Sequence, residues 1–449
     1  MRGWPFLLLF LLSSCSREEL CVVDAGLDEV LSKNIPQDIN LLKESADIAS
    51  KAFLEKNQQT SNEAYNRMFY APWMDDFSPI IDKLHLAAPS GHAENLHKWR
   101  PQERKKLEEN AALSLAPSIK VKAIAIRTTM AYRAPTEKPF FRDIRKPGTS
   151  YPFNDNIASM IYLGTPLRIL HVSFDRAWFL VGNYRFVAWV KANDVAFVDE
   201  NFIKSYFSHK LSVAIEDGCP LLTENHQFLG MSHIGMLLPK ATDGVLVPSF
   251  KKDGFAELRF CRTIAFVEKP YRFTEDHILA LSKKLLGTKY GWGGFLENRD
   301  CAQTIRDFMA VFGANGSIYI HCDPQKFISL KGRDKANFLK ENATPFLTVI
   351  GCKGHVMLYV GSFNGYPVLF HNLWAIRTGE DGRYVVGKTI LSTTQFGKGI
   401  ENSSTCIDDK AVFMYDVSKG VAPSNIGTQG SRPASSSPID RMHHCKPSP

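Results

Sequence analysis

The stretch from Tyr290 to Phe312, YGWGGFLENRDCAQTIRDFMAVF, constrains the fold of this 449-residue chain more than any other. A glycine-rich turn leads into a short polar loop, and Cys301 follows the loop. Apolar residues then recur at helical spacing, so an amphipathic helix is predicted to begin at the cysteine. A cysteine at a helix N-terminus faces unpaired backbone N–H groups and the positive end of the helix dipole, and both favour the thiolate. The stretch is therefore the best candidate for an active site.

Two interpretations of Cys301 follow from its surroundings. Gly291, Gly293 and Gly294 allow the backbone to approach closely and leave room for a substrate, which suits a nucleophile. The alternative is a small buried apolar residue, which is the usual environment of a lone cysteine in a helix. The sequence downstream favours the first interpretation.

Two histidines lie on a predicted hairpin downstream. GHVMLYVG, residues 354–361, predicts a strand whose alternation places His355 on one face while apolar residues point into a core. A turn at 362–366 leads to a second strand, PVLFHNLW, which ends near His371 and Asn372. The hairpin therefore brings His355 and His371 to neighbouring strands. A cysteine hydrolase needs a nucleophile, a base and a polar residue that orients the base.

The motifs YGWGG…RDC, GHVMLYVG and HNLW, taken together, resemble the NlpC-type family of papain-like cell-wall peptidases. The closest resemblance is to the branch that carries two bacterial SH3-like domains before the catalytic domain. The matching motifs span residues 271–399, and a looser resemblance extends back to about Ala64. The implied fold class is α+β, with an N-terminal helical region, two small SH3-like β-barrels and a C-terminal papain-like cysteine peptidase domain.

The resemblance also implies roles for individual residues. Cys301 corresponds to the nucleophile, His355 to the general base and His371 to the residue that orients the base. Tyr290 and Asp300 match positions that shape or contact the substrate site in this family. No metal or other cofactor is implied.

Two departures from the family pattern bear on substrate binding. Ala302 follows the nucleophile where the family usually has a serine whose hydroxyl helps to hold the substrate. The run GANGSIYIHCDPQ, residues 313–325, replaces an Arg-Asn-Ser run after the first helix. We expect altered affinity or specificity from the first change and a remodelled rim of the groove from the second.

The N-terminus has the features of an export signal. One arginine precedes an apolar run from Phe6 to Leu12, which is too short to span a bilayer as a permanent helix. The sequence Leu-Ser-Ser-Cys that ends at Cys15 resembles a bacterial lipoprotein box, in which Cys15 becomes the lipidated first residue. Ser16, in place of an aspartate, favours the outer membrane in two-membrane bacteria. The alternative is an ordinary secretory signal with a chance cysteine.

Composition limits the classes of partner and of redox chemistry. The net charge is +8, but the basic residues are scattered, so binding to nucleic acid is not expected. Nine cysteines occur without a CxxC pair, and the sequence alone does not assign disulfide partners. His321-Cys322 and His443-His444-Cys445 lack further ligands at suitable spacing, so no metal site is predicted.

The chain divides into six predicted segments. The first is the signal peptide, and a helical region with apolar repeats at three and four residues follows it. Short strands with turn signals then predict two barrels, which precede the peptidase domain. A tail rich in Ser, Pro and Gly is too polar to bury a core and is expected to be disordered. The predicted bounds are 1–15, 21–116, 117–200, 206–268, 271–417 and 418–449.

Within the first barrel, Tyr132 and Arg133 of MAYRAPTEKPFF are predicted to lie on a loop that reaches the groove. In related enzymes the first barrel limits the groove, so that a short peptide with a free amino end fits. By resemblance, these two residues become candidates for substrate binding. A simple surface loop is the alternative.

The predicted function is that of a cysteine endopeptidase that hydrolyses peptidoglycan stem peptides between γ-D-glutamate and the diamino acid, in wall remodelling or recycling. Two alternatives are a non-catalytic peptidoglycan-binding lipoprotein and another amidase or acyltransferase on the same fold. The expected partners are stem peptides or muropeptides and a membrane reached through a lipid anchor. We expect a monomer on the periplasmic side of the cell envelope.

Overall fold

A computed structural model of the chain describes residues 27–53, 55–83, 86, 91–251, 253–314, 327, 329–352, 354–378, 382–398 and 413–416. Several predicted features lie outside these residues: the signal segment with Cys15 and Ser16, both His-Cys runs, most of 313–325 and the tail from 418.

The N-terminal region is helical because its apolar residues repeat at three and four positions, as in Leu27 and Leu31, which are both buried. The third helix ends just before Pro72, and the buried Trp73 then donates its indole N–H to the carbonyl of Ala123 at 2.7 Å. The α-helices are α1 (Leu27–Asn34), α2 (Lys43–Ala52), α3 (Glu55–Tyr70) and α4 (Pro101–Ala111), with 3-10 turns at Ile39–Leu42, Ala71–Trp73 and Leu113–Leu115.

The first barrel region forms an antiparallel sheet of seven strands in the order β3-β2-β6-β5-β4-β1-β7. Alternating small and branched side chains fill its interior, which is typical of a small barrel. The strands are β1 (Val121–Ala125), β2 (Thr129–Tyr132), β3 (Ile157–Ile161), β4 (Pro166–Val172), β5 (Trp178–Gly182), β6 (Val187–Lys191) and β7 (Val195–Phe197), with a 3-10 turn at Ala192–Asp194.

A short helix, α5 (Glu200–Phe207), leads to the second barrel region. The second region has a five-stranded sheet in the order β13-β12-β11-β8-β14 and a separate hairpin of β9 and β10. Its strands are β8 (Leu211–Ala214), β9 (Pro220–Leu222), β10 (Phe228–Met231), β11 (Leu237–Ala241), β12 (Gly244–Phe250), β13 (Ala256–Arg262) and β14 (Phe266–Glu268).

The C-terminal domain packs helices on a five-stranded antiparallel sheet in the order β18-β17-β16-β15-β19. The described helices are α6 (Glu275–Leu285), α7 (Cys301–Val311) and α8 (Gly332–Asn342), with a 3-10 segment at Trp292–Glu297. The strands are β15 (Thr348–Cys352), β16 (His355–Phe363), β17 (Tyr366–Thr378), β18 (Gly382–Thr393) and β19 (Phe413–Asp416).

Both faces of β16 are buried, whereas the alternation of its sequence predicted a core on one face. Val356 and Leu358 belong to the main core, and Met357 and Tyr359 to a smaller apolar cluster that includes Leu339 of α8. The second layer was missed because the residues that cover it lie in a helix separated from the strand in sequence.

The main core joins the domains to one another. It includes Trp73 from the N-terminal region, Tyr206 from α5 and Phe308 from α7. Trp73 packs edge-on against Tyr206 with ring centroids 5.1 Å apart. The N-terminal helices therefore brace the rest of the molecule, and the predicted α+β fold class is confirmed.

The outer edge of β18 is covered by two other parts of the chain. The backbone of 287–290 bonds to Gly387 and Thr389 of β18. The side-chain amide of Gln37 exchanges two hydrogen bonds with the backbone of Leu391, at 2.8 and 2.9 Å. No helix among the described residues combines the length and the apolar character needed to cross a membrane.

Candidate active site

Helix α7 begins at Cys301 because Asp300 caps it. One carboxylate oxygen of Asp300 accepts the backbone N–H of Gln303 at 2.8 Å, which is the usual N-cap contact. The other oxygen accepts the backbone N–H of Gly293 at 3.1 Å. Asp300 therefore ties the glycine turn to the first turn of the helix, and the helix start lies where the sequence predicted it.

The glycines of the turn are required for contact with the first barrel. Gly293 and Gly294 have φ angles of 60° and 100°, which glycine adopts most readily. A Cβ atom at either position would lie 2.5 Å from a side-chain atom of β3, that of Ile157 or Met160 respectively. The expectation that these glycines leave room for a substrate is therefore wrong for this pair, since strand β3 already occupies the space.

The thiol of Cys301 is buried, with 5% of the residue exposed. Burial and, to a smaller extent, the nearby Asp300 carboxylate raise its pKa to about 12, against an opposing contribution from the backbone N–H of Val356. The sequence predicted a stabilised thiolate, and this expectation is wrong for the resting site. The helix N-terminus is present, but the loss of water around the sulfur outweighs it.

His355 and His371 form a hydrogen-bonded pair on neighbouring strands. His355 Nε2 lies 2.7 Å from His371 Nδ1, and the rings meet edge to face with centroids 5.0 Å apart. Burial lowers the pKa of His355 to about 4. Burial and the neighbouring His355 lower the pKa of His371 well below 6.5. Both rings are therefore neutral at neutral pH, and the Nδ1 atom of His355 remains for another partner.

A contact on His371 extends this pair. His371 Nε2 lies 2.9 Å from the hydroxyl of Ser392 on β18, and Ser392 is fully buried. The strand register pairs Leu369 with Ser392 and His371 with Ile390, so the histidine and the serine are diagonal neighbours on one face. The sequence carries no local signal for this contact, because the two residues are 21 positions apart and only the register brings them together.

Asn372 supports the loop that carries the cysteine. Its buried amide donates to the carbonyl of Arg299 at 2.9 Å and to that of Lys289 at 3.3 Å. Adjacent residues of β17 therefore serve two purposes, since His371 bonds to the other histidine and Asn372 fixes the loop before Cys301.

Tyr290 lies beside the cysteine. Burial raises its pKa well above 10, and electrostatic interactions with Cys301 and Asp300 raise it further. Phe153 of the first barrel region packs against Tyr290, with ring centroids 6.4 Å apart, and against Trp374 of β17 at 4.5 Å. An aromatic wall shared by two domains therefore stands beside the start of α7.

Tyr132 and Arg133 are positioned differently from the prediction. Tyr132 ends strand β2 instead of lying on a loop, and it is buried edge-on against Trp178 with ring centroids 5.6 Å apart. Arg133 follows, and its backbone N–H donates to the carbonyl of Asn156 at 2.7 Å. The hydrophobic cluster that holds Tyr132 also contacts Trp292 of the C-terminal domain.

A buried charged network joins the loop before Cys301 to both barrels. The guanidinium of Arg299, 4% exposed, donates two hydrogen bonds to Asp217 at 2.7 Å and one to Asp307 at 2.6 Å. Tyr162 of the first barrel region donates to Asp307 at 2.6 Å, and Gln303 also donates to it at 2.6 Å. The network thus connects three domains at a point two residues before Cys301.

A cleft of about 230 Å³ lies between the second barrel and this loop. Asp217 and His233 line one side, and Lys289, Glu297 and Arg299 line the other. His233 Nε2 lies 3.1 Å from a carboxylate oxygen of Glu297. Among the described residues, those that line the cleft do not include the cysteine or the histidine pair, and no group of three suitable side chains forms a metal site.

The four cysteines within the described residues have free thiols: Cys219, Cys261, Cys301 and Cys352. Ala302 is buried in the main core beside the cysteine.

Comparison with known proteins assigns the domains. A model described as the N-terminal stabilising domain of NLPC_P60 proteins matches residues 4–115. Models of SH3 domains of the SH3b1 and SH3b2 types match residues 139–191 and 199–240. The chain has the domain arrangement of an NlpC/P60 protein. No curated protein matches it.

Solved NlpC/P60 structures resemble the fold. An NlpC/P60 endopeptidase from Photobacterium damselae subsp. piscicida superposes with a TM-score of 0.75 at 20% identity, over 86% of this chain and 98% of that chain. An NlpC/P60 family protein from Bacillus cereus ATCC 10987 matches with a TM-score of 0.41 at 14% identity, over 66% of this chain and 99% of that chain. The first of these structures therefore shares its fold with this chain over nearly its whole length.

Proposed function

We propose that the protein is a cysteine peptidase that hydrolyses peptidoglycan stem peptides between γ-D-glutamate and the following diamino acid. The observation that carries the proposal is the thiol of Cys301 at the start of α7, together with the hydrogen-bonded pair of His355 on β16 and His371 on β17. The Val356 N–H that faces the Cys301 sulfur belongs to the residue next to His355. We assign Cys301, His355 and His371 the three roles that a cysteine hydrolase needs, namely nucleophile, base and orienting residue.

In the proposed reaction, the sulfur of Cys301 bonds to the amide carbonyl carbon while His355 Nδ1 takes the thiol proton. The tetrahedral intermediate collapses, the carbon–nitrogen bond breaks, and the imidazolium gives that proton to the leaving amine. Water then loses a proton to His355 and attacks the thioester. The carbon–sulfur bond breaks and the sulfur regains a proton. Nδ1 is assigned as the base because Nε2 is bonded to His371.

Both reacting groups are neutral in the resting site, so the thiol loses its proton as the sulfur attacks. With a thiol pKa of about 12 and an imidazole pKa of about 4, the resting pair is neutral. The base is therefore unprotonated at neutral pH. The backbone N–H of Cys301, in the first turn of α7, is the candidate donor to the developing oxyanion, since helix N-termini present such groups.

The substrate class rests on the family resemblance and is supported by the shape of the site. Tyr290 and Asp300 lie beside the cysteine, and the ring of Phe153 from the first barrel closes on Tyr290 and Trp374. A wall built from two domains suits a short peptide better than a long chain that passes through. We include Tyr132 and Arg133 in the proposed substrate site only through their place in the same barrel.

The decisive experiment incubates the protein with L-Ala-γ-D-Glu-diaminopimelate and, separately, with intact peptidoglycan, and follows the products by mass spectrometry. We expect release of L-Ala-γ-D-Glu by the wild type and none by Cys301→Ala. Cys219→Ala is the matched control, because it removes a free thiol from the second barrel and should leave turnover unchanged.

Other outcomes would redirect the assignment. No cleavage of either substrate, together with retention on the intact wall, would support the non-catalytic wall-binding protein. Products that carry an added amine in place of water would indicate an acyltransferase. Cleavage that persists in Cys301→Ala would remove the cysteine from the mechanism.

We also propose that the chain is anchored on the periplasmic face of the envelope through a lipid on Cys15, as the Leu-Ser-Ser-Cys sequence suggests. One acyl chain binds a membrane weakly, and lipoproteins carry several. Metabolic labelling with a fatty-acid analogue should mark the wild type and not Cys15→Ala. A label retained by that variant would contradict the anchor.

A further inference from the structure

We propose that Ser392 is a positioning residue: by accepting a hydrogen bond from His371 Nε2–H, it allows both histidines to carry their protons on Nε2, which leaves His355 able to accept the thiol proton. The inference rests on the proposed role of Cys301 as a nucleophile. It adds a fourth member to the site, on a different strand from the two histidines.

The three groups form a linear chain of hydrogen bonds. His355 Nε2 and His371 Nδ1 are 2.7 Å apart, and His371 Nε2 and the Ser392 hydroxyl are 2.9 Å apart. Each link needs one donor and one acceptor, and each neutral imidazole carries one proton. The two links are therefore coupled, because the proton on one ring fixes the place of the proton on the other.

Only two arrangements satisfy both links. In the first, His355 Nε2–H donates to His371 Nδ1, and His371 Nε2–H donates to Ser392, so His355 Nδ1 keeps a free lone pair. In the second, the serine donates to His371 Nε2, His371 Nδ1–H donates to His355 Nε2, and His355 Nδ1 carries the proton. Only the first arrangement makes His355 a base toward the thiol.

In the first arrangement the serine hydroxyl supplies the acceptor that His371 Nε2–H needs. His371 and Ser392 are both fully buried, so water does not replace the serine as an acceptor. A buried N–H without a partner is less tolerated than a buried acceptor without one. Loss of the hydroxyl therefore favours the second arrangement, in which the proton faces the thiol.

The serine is held in place from outside the sheet. Its two neighbours in β18 bond to side-chain amides of the N-terminal region. Leu391 exchanges two backbone bonds with Gln37, at 2.8 and 2.9 Å, and Thr393 exchanges two bonds with Asn34, each at 2.8 Å. A hydroxyl fixed on both sides in this way has little freedom to leave the ring nitrogen.

The first test measures the tautomers in the full chain labelled with ¹⁵N-histidine. Ring-nitrogen chemical shifts distinguish Nδ1–H from Nε2–H, and spectra of His355→Gln and His371→Gln assign the signals. We expect Nε2–H on both rings in the wild type and a shift of His371 toward Nδ1–H in Ser392→Ala. A wild-type His371 that carries its proton on Nδ1 would overturn the proposal.

The second test measures peptide hydrolysis. Ser392→Ala should lower kcat about 10- to 100-fold and leave KM within about twofold, because the variant changes the base and not the substrate contacts. Ser392→Thr keeps the hydroxyl and should retain most of the activity. The matched control is Thr389→Val. It removes another buried hydroxyl of β18, one that lies 2.9 Å from the hydroxyl of Thr288.

The pH profile separates positioning from general destabilisation. In the wild type, kcat/KM should stay level across neutral pH, whereas in Ser392→Ala it should rise steadily toward alkaline pH as the thiol ionises without a base. If Ser392→Ala lowers kcat no more than Thr389→Val does and leaves the pH profile unchanged, the proposed role of Ser392 is refuted.

The two proposals fail in different ways. If neither the wild type nor any variant hydrolyses the peptide, the proposed activity fails. The wild-type tautomers then still test the role of the serine. If the wild type hydrolyses the peptide but the tautomers are those of the second arrangement, only the serine proposal fails. The wild-type spectrum also decides the matter if Ser392→Ala does not fold.

Discussion

Two buried polar systems reach the start of α7 from different parts of the molecule, and they differ in charge. One is the chain of His355, His371 and Ser392, in which every group is neutral at neutral pH. The other centres on Arg299, whose guanidinium contacts the carboxylates of Asp217 and Asp307. The first lies within one sheet, and the second joins three domains.

The difference shows what each kind of network suits. A neutral chain with one donor and one acceptor at each link is directional, so it can fix the place of a proton. A charged centre with several partners attracts each of them strongly, so it suits holding surfaces together. Removal of one member should therefore change chemistry in the first system and stability in the second.

The largest effect on stability is expected from Arg299→Met. The change leaves the carboxylate of Asp307, 2% exposed, without its cation, and loss of one partner of a buried ion pair costs about 3–5 kcal/mol. Denaturant unfolding measures the loss. The control is Arg259→Met, whose ion pair with Glu257 is partly exposed and should contribute about 0–1 kcal/mol. Equal losses in both variants would contradict the structural role of the buried network.

Within the neutral hydrogen-bonded chain, the largest effect on chemistry is expected from His355→Ala. Loss of a general base lowers the rate about 10²- to 10⁴-fold, whereas the unfolding midpoint should fall far less than in Arg299→Met. Peptide hydrolysis and thermal unfolding, measured on the same preparations, test the contrast. An active His355→Ala, or one as unstable as the arginine variant, would remove the distinction between the two systems.

The pH dependence of stability should reveal that His355 and His371 are neutral in the folded protein. The folded pKa of His355 is about 4 and that of His371 is well below the unfolded value near 6.5. The unfolded chain therefore binds more protons as the pH falls below 6.5, and stability is lost progressively down to about pH 4. Each histidine contributes at most about 1.4 kcal/mol per pH unit.

A double variant isolates this contribution, because buried His171 and His233 also have lowered pKa values. The slope of unfolding free energy between pH 6.5 and 4 should be smaller in His355→Gln/His371→Gln than in the wild type. Identical slopes would show that the pair does not lose protons on folding.

The smallest effect is expected from Tyr162→Phe. It removes one hydrogen bond to the Asp307 carboxylate, at 2.6 Å, while Arg299 and Gln303 still contact that carboxylate. A hydrogen bond to a charged group contributes about 1.5–3 kcal/mol, and the remaining partners should hold the loss near the lower value. Denaturant unfolding gives the loss, and kcat should be unchanged. A large fall in kcat with little loss of stability would show that this network also acts on the chemistry.

The sequence was sufficient for features set by local periodicity and order. The helix at Cys301 and the strands that carry His355 and His371 follow from spacing alone, because period and turn residues are local properties. The two-barrel arrangement followed from resemblance, and the family models for the N-terminal domain and both SH3 domains confirm it.

Features that depend on other domains or on burial were not accessible from the sequence. The partners of Arg299 lie in the second barrel and on α7, and the contact of Ser392 depends on the register of two strands. The rise in the thiol pKa of Cys301 depends on how much water the packed domains exclude. The requirement for glycine at Gly293 and Gly294 also depends on another domain, because strand β3 fills the space beside them.

The covered edge of β18 bears on how the C-terminal domain behaves when it is separated from the rest. Its outward-facing backbone groups at Leu391 and Thr393 bond to Gln37 and Asn34, which lie more than three hundred positions earlier in the chain. A fragment that begins after these residues presents an unpaired strand edge, which is a template for pairing with a second copy. In the intact chain, the amides of the N-terminal region therefore also protect the sheet from self-association.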